Sequence, residues 1–377
     1  MPLAWPLIPS PCLSHANLPP ELNRVLAAFP LPGQVLSATP YGNGHINETI
    51  VVVVDVGFGT RRFIFQKINH RVFKNVPALM ENVTRVTEHL REKQARGLTL
   101  VPARDGRDYF FVSGGWWRVY DFIEGAHSVE QVTKASQARE AARAFGEFQA
   151  LLADLPGGRL HDTIPNFHHT RSRFDTLRRA VAADKVQRAA EARAEIDFVF
   201  AREAVADVLL ALLARGELTE RVTHNDTKIN NVMFDNVTSR AVAVVDLDTV
   251  MPGLALYDFG DMVRTAASST AEDDPDPARM KIVLPFFRAL VAGYLESAGD
   301  VLNATERAHL GFSAKLISYE IGMRFLTDYL EGDVYFRVKR PRHNLERART
   351  QFALVRSIEE NEKEMARIVA EVEKTGQ

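Results

Sequence analysis

The segment from His224 to Asp248 constrains this chain more than any other. It reads His-Asn-Asp-Thr-Lys-Ile-Asn-Asn, then an apolar run, a polar turn, a second apolar run and Val-Asp-Leu-Asp. Val232-Met233-Phe234 has the length and character of a strand, Asp235-Asn236 is turn chemistry, and Ala241 to Val245 is a second strand. A hairpin returns its two ends to one place. The pattern therefore predicts that Asn231 and Asp246 become neighbours, with Asp226 and Lys228 in the loop that enters the first strand.

Those four side chains make a coherent chemical set. Asp226 can orient an acceptor hydroxyl and take its proton, and Lys228 can hold a phosphate in transfer. Asn231 and Asp246 can share the magnesium of a nucleoside triphosphate. Asp226 and Asn231 are five positions apart, the interval between the Asp and the metal-binding Asn of kinase catalytic loops. The bland alternative is a polar turn, a hairpin and an ordinary loop carboxylate. His224 reads as support beneath the loop, and Asn225 is given no role. The Asp258-Phe259-Gly260 string lies too far along the chain to be the metal site, which Asp246 fits better. Asp258 is expected to brace the loop by accepting backbone hydrogen bonds.

The flanking sequence supplies two kinds of structure. Val35 to Thr39, Ile50 to Val56 and Arg62 to Ile68 read as strands, with glycine turns at Gly42 and Gly44 and at 57–60. Gly42, Asn43 and Gly44 are placed as a phosphate-approaching turn, with His45 directly behind it. Val76, Leu79, Val83, Val86 and Leu90 form one apolar stripe of a helix, with Gly97 as its stop. Leu98 to Pro102, Tyr109 to Val112 and Trp116 to Phe122 read as further strands. Helices follow over Ala135 to Leu152, 171–214 and about 278–375. The expected organisation is a loose proline-rich leader over 1–20, an N-terminal lobe over 21–121 and a C-terminal lobe over 122–377.

Composition excludes several classes. The formal net charge of −2 gives no electrostatic case for nucleic acid or an anionic membrane. No apolar run of about 18 residues exists to span a bilayer. Cys12 is the single cysteine, so no internal disulfide can form and a reducing, cytoplasmic setting is expected. No obligatory protein partner is evident.

The blocks His-Asn-Asp-Thr-Lys (224–228), Tyr-Gly-Asn-Gly-His-Ile-Asn (41–47), Arg-Val-Tyr-Asp-Phe-Ile-Glu-Gly (118–125), Asp-Leu-Asp-Thr-Val-Met-Pro-Gly (246–253) and Arg-Phe-Leu-Thr-Asp-Tyr-Leu-Glu-Gly-Asp (324–333) carry a resemblance. The catalytic motif resembles that of the aminoglycoside phosphotransferase and choline kinase relatives. The flanking blocks are similar to bacterial N-acetylhexosamine 1-kinases, from about residue 35 to 360. The resemblance implies an α+β, protein-kinase-like fold of two lobes, the first small and β-rich, the second larger and mostly helical. It implies ATP and Mg2+ as cofactors, and phosphorylation of the anomeric hydroxyl of N-acetylglucosamine or N-acetylgalactosamine. An aminoglycoside or choline-like acceptor, or a nucleotide-binding module without turnover, are the alternatives.

Further site residues follow from that resemblance. The adenine site is expected at 118–125, with Tyr120 and Phe122. Kinases place a lysine on the third strand against the phosphates, paired with a helix Glu. If the required position is 66, Gln66 stands there and Lys67 points the other way; Lys67 is named, with its partner open between Glu81 and Glu88. Thr249, Arg324 and Tyr335 are the sugar candidates, with His45 reaching sugar or phosphate. Arg324 has the alternative of an ion pair with Glu320 or Asp328. Asp248 is a second metal ligand, a sugar contact or a solvated loop acid. The acidic run at 272–276 is either an attractor of cationic acceptors or an exposed loop.

Overall fold

The computed structural model describes residues 19–42 and 46–375. Asn43, Gly44, His45 and most of the expected leader lie outside the described residues. The chain divides into two compact units, one running to Glu88 and including Gly97–Glu124, the other comprising His89–Arg96 and Gly125–Gln377.

The first unit is an antiparallel sheet in the order β1-β2-β3-β5-β4, with β1 Gln34–Pro40, β2 Glu48–Asp55, β3 Thr60–Ile68, β4 Phe110–Val112 and β5 Gly115–Asp121. Alternation decides its faces. Ile50, Val52 and Val54 of β2 and Phe63 and Phe65 of β3 are buried together with Leu22 and Val25 of helix α1 (Leu22–Ala28) and Phe29, which caps it. Phe29 meets Phe65 edge-on at 5.8 Å. The helix expected after β3 is α2, Val76–Glu92, and all five residues of its predicted stripe are buried. Its stop is not Gly97. Gln94 takes the left-handed backbone (φ 58°), and Ala95 N–H returns to Leu90 O at 2.9 Å. Of the strand expected at 98–102, only a bridge from Leu100 to Tyr120 forms.

The second unit is mostly helical. Its elements are β6 Ala126–Ser128, α3 Ala135–Leu152, α4 Thr170–Ala183, α5 Arg193–Phe200, α6 Val208–Ala214, β7 Arg221–Thr223, β8 Val232–Asp235, β9 Ala241–Val244, β10 Met251–Gly253, α7 Ala255–Ala266, α8 Leu284–Ala298, α9 Ala304–Ala308, α10 Leu310–Glu331 and α11 His343–Thr375. The predicted hairpin is β8–β9, with Val232 opposite Val244, and β6 adds on its other edge. Its turn is built by Asp235, whose Oδ1 accepts the N–H groups of Val237 and Thr238 at 3.0 and 2.8 Å. No helix among the described residues is long and apolar enough to cross a membrane.

Helix α7 is buried along nearly its whole length and lies against α10. Gly260 permits that approach, because a Cβ there would stand 2.4 Å from Ser313 O and 2.7 Å from Ile317 Cγ1. In an open helix Gly→Ala gains about 1 kcal/mol. Here the methyl meets backbone, and overpacking of about 1–3 kcal/mol outweighs that gain. Gly260→Ala should therefore lower the melting temperature; an unchanged or raised value would contradict this account of the α7–α10 contact.

Candidate active site

The catalytic loop begins where β7 ends. Thr223 pairs with Met251 of β10, which brings residues 249–253 alongside the loop. Asn225, which the sequence reading left without a role, is the centre of the support. It adopts the left-handed conformation (φ 64°), which asparagine tolerates better than most side chains. Its N–H donates to Asp258 Oδ1 at 2.7 Å, and its Nδ2 donates to Thr249 O at 2.9 Å. Its carbonyl meets His168 Nε2 at 3.0 Å.

Asp258 braces the loop as expected. Besides the Asn225 N–H it accepts the N–H of His224 and Nε2 of Gln149 on α3, each at 2.9 Å. Burial raises its carboxyl above the usual range, while these donors and His224 pull the other way. His224 is the expected scaffold. It is fully buried, with its ring edge-on to Phe145 at 5.3 Å. The Asp226 N–H donates to its Nδ1 at 3.3 Å, so Nε2 carries the proton toward Val245 O at 3.0 Å.

A second brace comes from a distance of many residues. His168 Nδ1 lies 2.8 Å from Glu320 Oε1, and Thr170 donates to Glu320 Oε2 at 2.6 Å. Burial opposes both charges, yet the attraction between the two raises the His168 pKa and lowers that of Glu320. The pair ties α10 to the residue preceding Asp226. A cavity of about 260 Å³ opens on this side of the loop, walled in part by Asn225, His168, Phe167 and Tyr257.

Asp226 and Lys228 form an ion pair at 2.8 Å, with side chains 24% and 42% exposed. Burial pushes the Asp226 carboxyl up, but Lys228, then His224 and Arg264, hold it below the usual carboxylate range. The lysine is correspondingly raised, first by Asp226 and further by Asp261. Asn231 donates through Nδ2 to Asp226 O at 2.8 Å, which leaves its Oδ1 as the atom suited to a cation. Val245 N–H bonds Asn231 O at 2.9 Å, so the hairpin sets Asp246 beside Asn231. Asp246 is exposed and left-handed (φ 62°, ψ 61°), a conformation uncommon outside glycine, asparagine and aspartate. The donor chemistry fits magnesium, which takes oxygen ligands and keeps several waters or phosphate oxygens. Among the described residues no cluster of three His, Cys, Asp or Glu could hold a metal by itself.

The remaining candidates divide. Asp248 is only 2% exposed, which removes the solvated-acid reading. Thr249 is buried and its hydroxyl has no hydrogen-bond partner among the described residues. The ion pair expected as the alternative for Arg324 does not form. Glu320 is committed to His168, and Asp328 accepts the N–H groups of Val334, Tyr335 and Phe336 and Nδ2 of Asn344. The Arg324 guanidinium lies instead against the rings of Phe167, Tyr335 and Phe336, 5.1, 5.9 and 5.6 Å from their centroids. Three of the four acids of the run pair with the protein's own cations: Glu272 with Arg264, Asp273 with Lys339 and Asp274 with Arg279.

In the first unit, Gly42 has φ 77°, as a glycine turn requires. Tyr120 is buried within β5, where it pairs with Ile64 of β3, and the Phe122 N–H bonds Arg62 O at 3.2 Å. Lys67 is turned to the α1 side, where its Nζ meets Glu21 Oε1 at 2.7 Å. The assignment of Lys67 to the phosphates is therefore dropped: strand alternation puts it on the face opposite Gln66. Gln66 faces Arg118 instead, a fully buried residue that sequence reading passed over.

Comparison with known proteins agrees with this architecture. The model of the APH phosphotransferase enzyme family matches residues 37–299. Among solved structures, the chain is similar to a microcompartment-associated aminopropanol kinase, at 18% identity and TM-score 0.55 over 92% of this chain and 98% of that one. It is similar to an aminoglycoside phosphotransferase from Alicyclobacillus acidocaldarius at 14% identity and TM-score 0.57, over 96% and 98% of the two chains. A choline kinase from Cryptosporidium parvum aligns at 14% identity and TM-score 0.52, over 87% and 89%. At such identities the likeness shows a shared fold, here an antiparallel sheet unit and a larger helical unit of the kinase-like α+β kind.

Proposed function

The chain belongs to the APH phosphotransferase enzyme family and is a small-molecule phosphotransferase; on that premise we propose that it transfers the γ-phosphoryl group of ATP to the anomeric hydroxyl of an N-acetylhexosamine. In this reading the acceptor oxygen attacks the γ-phosphorus, the bond to the bridging oxygen of ADP breaks, and the hydroxyl proton passes to Asp226. Phosphoryl transfer has a loose transition state, so the base mainly orients the hydroxyl. An ionised, weakly basic Asp226 suits that task, and an anomeric hydroxyl is more acidic than an ordinary alcohol. Lys228 moves from Asp226 to the transferring phosphate. Asn231 and Asp246 would hold magnesium, which supplies charge neutralisation for the phosphate oxygens.

The observation that favours a neutral sugar is Arg324. It stands one helical turn beyond Glu320, on the same face of α10, and Glu320 is joined through His168 to Asn225 beside the base. A cationic acceptor would want carboxylates or open aromatic faces there. A guanidinium covers those faces instead, and three of the four acids of the run at 272–276 already pair with cations. Arginine donors beside aromatic rings suit hydroxyl and acetamido oxygens on an apolar sugar face, with the unpartnered Thr249 hydroxyl close to the catalytic loop. The test is an acceptor panel with ATP, read by ADP release and by phosphorus NMR of the product. N-acetylglucosamine or N-acetylgalactosamine should give the sugar 1-phosphate. A product phosphorylated only at position 6, or preference for choline or an aminoglycoside, would overturn the assignment.

A further inference from the structure

We propose that Asp328 is a positioning residue of the acceptor site, holding the loop that carries Tyr335 and Phe336 beside Arg324. The inference rests on the acceptor reading of Arg324 above. The loop follows α10 directly. Gly332 and Asp333 both take the left-handed backbone (φ 102° and 61°), which turns the N–H groups that follow toward one point. Asp328, in the last turn of the helix and only 3% exposed, receives them. Its backbone carbonyl accepts the Asp333 N–H at 2.8 Å. Its Oδ1 accepts the N–H groups of Val334 and Tyr335 at 2.9 and 2.7 Å, and its Oδ2 accepts that of Phe336 at 2.9 Å. Consecutive backbone donors thus close on a single buried carboxylate.

The carboxylate is itself fixed from α11 and from the segment before α5. Asn344 Nδ2 donates to Asp328 Oδ2 at 2.8 Å and to Asp333 Oδ1 at 2.9 Å. Arg188 Nη1 donates to Asp333 Oδ2 at 2.6 Å and to Tyr329 O at 2.9 Å. Burying a carboxylate is costly unless donors satisfy it, and most of the donors to this one belong to the loop. Charge and loop are therefore held together or released together. The loop presents an aromatic pair. Phe336 packs on Phe325 at 4.6 Å between centroids, and Tyr335 stands edge-on to Phe336 at 4.8 Å. The Arg324 guanidinium lies 5.9 and 5.6 Å from the centroids of Tyr335 and Phe336. Yet Tyr335 is 59% exposed, so its burial does not explain why its backbone is tied so firmly. An exposed ring held in place beside a guanidinium is preorganised for a ligand, which then has less ordering to offset when it binds.

The test is steady-state kinetics at varied acceptor and varied ATP, on whichever acceptor the panel above identifies, with the fold of each variant checked by circular dichroism. Asp328→Asn keeps the size but turns an NH2 group toward N–H donors. The acceptor KM should rise by about 10- to 100-fold, the value of hydrogen bonds to a charged group, while the KM for ATP stays as in the parent. Tyr335→Ala should raise the acceptor KM as well, and the double variant should fall well short of the product of the two single effects, because both changes remove the same contact. Should Asp328→Asn not fold, Asn344→Ala loosens the same carboxylate while keeping its charge, and should raise the acceptor KM by about tenfold. Single effects that multiply, equal rises in the KM values for acceptor and ATP, or an acceptor KM unchanged in the variant that folds would mean that Asp328 only secures the end of α10, and the proposal falls. If the panel finds choline or an aminoglycoside as the acceptor, and Asp328→Asn raises the KM for that acceptor alone, the sugar assignment fails and this inference stands. Wild-type protein without turnover on any acceptor overturns both.

Discussion

Asp226→Ala should lower kcat by about 100- to 10,000-fold, the usual range for a positioned general base, while ATP affinity changes little. The expectation comes from the separation of tasks around the loop. In the proposed mechanism Asp226 faces the acceptor proton, whereas the atoms suited to the metal and its nucleotide are Asn231 Oδ1 and Asp246. Removing the carboxylate also frees Lys228 from its 2.8 Å ion pair, so the phosphate loses no cation. ADP release and calorimetry on the same preparation separate the two effects. If ATP binding disappeared along with turnover, Asp226 would belong to the nucleotide site and the role assignment would be wrong. The pH profile carries a second sign. Lys228 holds the Asp226 carboxyl below its ordinary value, against the upward push of burial. The ionised form therefore persists as pH falls through the normal carboxylate range, and the acid limb of kcat should lie below it.

What the sequence made legible follows the range of each interaction. The β8–β9 hairpin and the α2 stripe depend on local period and turn chemistry, and both formed where expected. The proximity of Asn231 and Asp246 followed from the hairpin alone. Arg118 was hidden because cross-strand register, not spacing along the chain, sets it against Gln66. Strand alternation gave warning of the gap, since it already turned Lys67 away. The ion-pair alternative for Arg324 failed because its two carboxylates were claimed at long range. The i−4 and i+4 rule offered Glu320 and Asp328, but His168 had claimed the first across 152 positions, and the chain turn after α10 had claimed the second. Asn225 left a weak signal, an asparagine inside a tight loop, where a left-handed residue is often needed.

The second large effect is expected at Asp246, and its backbone decides which substitution is informative. The residue sits at φ 62°, ψ 61°, where alanine would add strain to the loss of charge. Asparagine tolerates that conformation and keeps one oxygen, so Asp246→Asn isolates the charge. Metal-assisted phosphoryl transfer draws several kcal/mol from the cation, so kcat should fall on the order of 100-fold or more. The magnesium concentration needed for half-maximal rate should rise with it, because one anionic ligand has become neutral. Binding of ATP measured in chelator, without divalent metal, should match wild type, whereas binding of the magnesium complex should weaken. That pattern is the reverse of Asp226→Ala, whose metal dependence should stay as in the parent. An Asp246→Asn enzyme with unaltered magnesium dependence would show that the left-handed carboxylate serves the shape of the loop alone, and the pairing of Asn231 with Asp246 as a cation site would have to be given up.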